Sequence, residues 1–143
     1  MTNFDQLKAD INSGVKEHEK HQTWDAYAYN SFAILAIIFT SLAAVFPIGD
    51  NTWVIRAFAG VGAILISLEK SLHFGSRWVY HREMRHGYLV VSSKIYFYEN
   101  MPEGFTDGEK KKIYTEIFQE YYRLKIKEGD VPGVQTEKKQ QKS

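Results

Sequence analysis

The sequence contains no cysteine. That absence excludes a disulfide framework, a thiolate zinc site, an iron–sulfur cluster and a cysteine nucleophile together. Three prolines and ten glycines in 143 residues are too few for collagen-like or low-complexity structure. Neither sign of charge is in excess, with 18 Lys and Arg against 17 Asp and Glu. The chain therefore lacks the basic character of a polycation, and no nucleic-acid partner is expected. Catalytic signatures are missing too: there is no G-x-x-x-x-G-K-[ST], G-x-G-x-x-G, G-x-S-x-G or H-E-x-x-H. Neither an enzyme nor a bound cofactor is expected from such a sequence. The length suits one domain.

What the sequence does have is apolar residues gathered into one central block, which the soluble-looking mean hydropathy of −0.36 conceals. From Ala26 to Gly49, 24 positions pass without a charged residue, and about 20 apolar residues suffice to cross a bilayer core. Trp24, Tyr27 and Tyr29 stand at the start of this run, with Phe46 at its end and Trp53 just beyond. Aromatic residues at both ends form the belt expected at membrane interfaces. A core helix of a soluble bundle is the competing reading, but its polar stripe would have to be built from Asn30, Ser31, Thr40 and Ser41 alone. Pro47 to Thr52 carries turn chemistry. A second apolar run then extends from Trp53 to Phe74, with Arg56 near its start and Glu69-Lys70 near its end.

The expected fold is all-α: an integral-membrane two-helix hairpin over 24–76, with spans at about 26–48 and 54–75. It is flanked by an amphipathic cytoplasmic helix over 1–23, cytoplasmic helices over 77–128 and a disordered polar tail over 129–143. Lys8, Lys16 and Lys20 precede the block and 13 basic residues follow Phe74, whereas the connecting turn has only Arg56 nearby. Basic loops stay in the cytoplasm, so both termini are placed there. The charged first 25 residues have no apolar core, so no cleavable signal peptide is expected.

The flanks read as helices. Thr2 to Asp5 has the form of a helix start, and Phe4, Leu7, Ile11 and Val15 follow at helical spacing. Tyr88 to Glu99 is β-branched and aromatic enough for a strand, but a helix is preferred because no partner strand is in sight. Asn100 to Phe105 reads as a loop, and Thr106-Asp-Gly-Glu109 as a capping box. The helix it opens has a wide apolar face of Ile113, Ile117, Tyr121 and Leu124, which needs a partner.

This order of elements resembles the SLATT superfamily, the two-transmembrane effector domains associated with bacterial nucleotide-signalling and anti-phage loci. The similarity rests on Trp24 and Tyr27 entering the first span, and on Phe74, Arg77, Trp78, Tyr80 and Arg82 leaving the second. The aromatic-acidic stretch Tyr96 to Glu99 is also similar, and the resemblance covers Val15 to Tyr122. It implies a multi-pass protein of the bacterial inner membrane that assembles and forms pores, or disrupts the bilayer, when triggered. A membrane-anchored scaffold, whose cytoplasmic helices bind a protein partner, is the alternative.

Candidate functional residues follow from position. Glu69, His73, Arg77, His81 and Arg85 recur every four residues and form one ridge below the second span. They are read either as a charged vestibule under a pore or as interface residues meeting lipid headgroups, with Glu69 neutralised by Lys70, His73 or Arg77. Ala59, Gly60 and Ala63 offer a small face for packing between subunits of a homo-oligomer, or within one hairpin. Trp24, Tyr27, Trp53 and Trp78 are expected to anchor the protein in the lipid bilayer. His18 with His21, His81 with His86, and Glu116 with Glu120 superficially suggest metal ligands, but solvated helix faces are expected and no metal site is assigned.

Overall fold

The computed structural model describes residues 4–45, 52–102 and 104–133. The expected Thr2 helix start, the Phe46 anchor, the turn at 47–51 and the tail beyond 133 lie outside these residues. The fold is all-helical, with no strand among the described residues. The helices are α1 (Phe4–Val45), α2 (Thr52–Leu72), α3 (Phe74–Glu99) and α4 (Asp107–Lys127). Residues 88–99 belong to α3, consistent with the lack of any strand to pair with them.

Helix α1 runs for 42 residues, about 63 Å at 1.5 Å per residue. It passes straight through positions 23 and 24, where the sequence reading divides cytoplasmic helix from span. The run from Lys20 to Tyr27 contains neither glycine nor proline, so nothing there ends a helix.

Helices α2 and α3 are joined at one residue. His73 has φ 56° and ψ 29°, and it is the only non-glycine residue with positive φ among those described. Its N–H donates to the Glu69 carbonyl at 3.0 Å, the pattern of a left-handed helix cap. Its own carbonyl accepts from the Arg77 N–H at 2.9 Å, so the next helix starts on the same residue. The His73 ring donates through Nδ1 to the Ser71 carbonyl at 2.8 Å.

The pairing of α1 with α2 and α3 is antiparallel. Phe39 meets Phe58, Phe32 meets Phe74, Tyr29 meets Trp78, and Phe4 meets Tyr98. The two ends of this assembly differ in burial. At one end Leu7 and Ile11 of α1, Tyr80, Met84, Tyr88, Val91 and Ile95 of α3, and Ile117 of α4 form a closed core. Met84, Tyr88, Val91 and Ile95 recur at helical spacing, which puts them on one stripe of α3. At the other end the buried residues are Ala36 and Gly62. A side chain at Gly62 would place its Cβ 2.7 Å from Thr40 Cγ2, so the helices touch there through a missing side chain. Ile34, Ile37 and Ile64 stay 57, 64 and 59% exposed. Two helical stretches, one in Phe4–Val45 and one in Thr52–Glu99, are long and apolar enough to cross a membrane.

The capping box at the start of α4 is formed in both directions. The Thr106 hydroxyl accepts from Glu109 N–H at 3.3 Å, and Glu109 Oε2 accepts from Thr106 N–H at 2.8 Å. Replacing Thr106 with Ala should lower the thermal unfolding midpoint by an amount equivalent to about 1 kcal/mol. A midpoint unchanged from the parent chain would show that the docked face alone holds α4. Beyond α4, residues 129–133 are not detached, as the tail reading expects. Val131 packs on the core, and Gly133 lies against the His73 ring, because α4 delivers the chain to the α2–α3 joint.

Candidate functional site

On α1, His18, His21 and Asp25 are spaced by three and four and therefore share a face. On α3, Arg77, His81 and Arg85 are spaced by four and face them. Between the two lies a buried polar cluster at the boundary between the closed core and the open apolar faces. Asp25 is wholly buried, and neither carboxylate oxygen has a hydrogen-bond partner. Its nearest cation is Arg77 at 3.5 Å, and the His81 Nε2 lies at 3.6 Å. Burial raises the Asp25 carboxyl, while Arg77 and His21 oppose the rise.

His81 and His18 are each only 6% exposed. Their Nδ1 atoms lie 2.9 Å apart, so one ring donates and the other accepts. Nε2 of His18 faces Glu128 Oε1 at 3.7 Å. His21 stacks on the His81 ring and Tyr88 on the His18 ring, with centroids 5.1 and 5.8 Å apart. Burial, His18, His21 and Arg77 push the His81 imidazole down to about 4. Burial also lowers His18, against the pull of Glu128 and Glu17.

Helix α4 closes the cluster. Glu128, just past its end, accepts from the Tyr88 hydroxyl and, at 3.0 Å, from Lys125. Although burial opposes it, these partners hold the Glu128 carboxyl below the usual carboxylate range. The Tyr80 hydroxyl donates to the Lys127 carbonyl at 3.0 Å, and burial pushes that phenol up to about 12. The Tyr88 ring sits where a side chain at residue 14 would be: a Cβ on Gly14 would lie 2.8 Å from it. A cavity of about 440 Å³ adjoins the histidines, lined among others by Asp10, Glu17, His21, Lys125 and Glu128. Among the described residues, no set of three or more His, Asp or Glu side chains is arranged to hold a metal.

The ridge read from the sequence is divided by the structure. Arg77 and His81 turn onto Asp25, and Arg85 donates to Glu19 at 3.0 Å. His73 is exposed at the joint, and half-buried Glu69 lies beside Gly75 with no ion pair among the described residues. The left-handed residue resets the helical phase, so a spacing of four does not carry across it. Among the described residues Glu69 forms no ion pair with Lys70, His73 or Arg77, and Arg77 is engaged by Asp25. His18, expected on a solvated face, is buried because His81 supplies a partner from α3. His86 is exposed, as is Glu116, while Glu120 pairs with Lys94.

Ala59, Gly60 and Ala63 all face outward, and nothing lies within 4 Å of a Cβ built on Gly60. Trp24, Tyr27 and Trp53 are exposed, whereas Trp78 is half-buried between Tyr29 and the Arg82 guanidinium, which lies 5.2 Å from its ring centre. Asp25 and Glu128 are site residues that sequence reasoning missed, and of the two Asp25 left a signal. It ends the charged N-terminal stretch one position before the apolar run and shares a helix face with His18 and His21. A search against known protein families, curated proteins and solved structures finds no match to this chain.

Proposed function

We propose that this chain is a small two-span membrane effector of the SLATT kind, an inner-membrane protein that assembles into oligomers and permeabilises the bilayer when triggered. In this reading α1 from Ala26 onward and α2 form the membrane hairpin, and both termini lie in the cytoplasm. The observation that supports it is the contrast along α1. Its first half closes a core with α3 and α4, while its second half and α2 leave Ile34, Ile37, Ile38, Ile64 and Leu68 in the open. Apolar surface of that extent on two helices of bilayer-spanning length calls for lipid or for further copies of the chain. The outward small face at Ala59, Gly60 and Ala63 is available for such copies, since close backbone approach drives helix association in lipid. Two helices alone cannot enclose a water path, so permeation requires several copies.

A scaffold role is the second reading, favoured by the exposure of Tyr96, Tyr122 and Ile126 on the bundle. Single cysteines and a leak assay separate the readings. In intact cells an impermeant maleimide should label Asn51→Cys and leave Ser93→Cys unlabelled. Overproduction should depolarise the cells, and the purified chain should release dye from anionic liposomes. The predicted labelling without any leak would favour the scaffold, and release of the protein by carbonate would overturn the membrane reading.

A further inference from the structure

We propose that the His18–His81 pair is a proton-binding site, taking up one proton between Asp25 and Glu128 and separating when a second arrives. The site is defined by its ring nitrogens, goes beyond the membrane role and does not require it. The pair presents four nitrogens. The two Nδ1 atoms face each other at 2.9 Å and need one proton between them. The two Nε2 atoms each face a carboxylate, Asp25 at 3.6 Å and Glu128 at 3.7 Å, and each needs a proton to donate.

The neutral pair carries two protons. Whichever ring donates at Nδ1 therefore turns a bare Nε2 lone pair toward a carboxylate. Three protons satisfy all four positions, and the carboxylate distances, now beyond hydrogen-bond length, can close. Asp25, buried without any hydrogen bond, then gains a donor. Four protons set two N–H groups head to head and break the pair.

The groups around the pair carry both signs of charge. From α1 the pair is faced by Glu17, His21 and Asp25; from α3 by Arg77, Tyr80 and Tyr88; from α4 and its end by Lys125 and Glu128. Arg77 pairs with Asp25 and Lys125 with Glu128, Glu17 adds a carboxylate that favours a first proton on His18, and the Nδ1–Nδ1 contact has no room for a second. Burial decides the pH. It holds both imidazoles below 6.5, so the folded chain takes up protons later than the unfolded chain. Stability from this pair is complete above 6.5 and is lost as pH falls toward about 4.

The test is a histidine ¹⁵N NMR titration of the full chain in detergent micelles, with near-ultraviolet circular dichroism recorded alongside. The His18 and His81 rings should shift together at one midpoint below 6.5, with the dichroism intact. A second step at lower pH should remove the dichroism. In His81→Asn the shared step should vanish, and His18 should titrate alone. Should that variant fail to fold, the wild-type titration still decides. Two independent midpoints at the free imidazole value of 6.5 would overturn the proposal. So would rings that stay neutral until the dichroism is lost.

Discussion

Replacing Arg77 with Met should destabilise the folded chain by about 3 kcal/mol, because it leaves a buried carboxylate without its cation. Asp25 is wholly buried and has no hydrogen bond to fall back on. The guanidinium 3.5 Å away is its one permanently charged partner, since His81 beside it is held neutral by burial. Met keeps the length of the Arg stem, so the lost packing is small and the change reports on charge. The check is a second substitution. Asp25→Asn in the Arg77→Met background should restore most of the stability, because the unpaired charge is then gone. Thermal unfolding of the four chains, followed by circular dichroism in micelles, gives the coupling directly. A coupling near zero would mean that water reaches Asp25 and that the pair contributes nothing.

The second large effect is expected at Tyr88. Truncation to Ala should cost about 3–5 kcal/mol, the usual range for a fully buried aromatic ring. This ring joins all three helices of the bundle. It fills the space left open by Gly14 on α1, stacks on His18, and carries its hydroxyl to Glu128 at the end of α4. The Lys125 ammonium lies 5.8 Å from its centre. Tyr88→Phe isolates the hydroxyl and should cost about 1 kcal/mol, or somewhat more because Glu128 is charged. If Tyr88→Phe cost as much as Tyr88→Ala, the hydrogen bond to Glu128 rather than the ring would hold α4 in place.

These two sites differ in how far the sequence exposes them. The helices were legible because their signals are local: 24 uncharged positions from Ala26, a capping box at Thr106, apolar residues at helical spacing along the last helix. The inward face of α3 was legible in part, since a spacing of four picked out Arg77, His81 and Arg85 together. The same spacing also collected Glu69 and His73, because nothing in the composition of Ser71-Leu-His-Phe74 announces a left-handed residue where glycine is the usual occupant. Asp25, His18 and Glu128 were beyond reach for a different reason. Their burial is created by helices 40 to 110 positions away, and no local pattern records which polar face another helix will cover.

The unequal construction of the two long strokes of the molecule has a mechanical consequence. One stroke, α1, is a single rod of 42 residues that belongs to both the open apolar half and the closed bundle. The other has a one-residue joint at His73, where 21 residues of α2 have risen about 32 Å, close to the thickness of a bilayer core. A rod transmits tilt and a joint absorbs it. In the proposed membrane reading, a lean imposed on the two apolar helices by lipid thickness or a neighbouring copy is carried by α1 into the bundle as a lever. α3, released at its joint, can keep its seat on α4. Movement then concentrates in the seam between α1 and α3, the seam that Asp25, Arg77 and the two facing histidines hold shut.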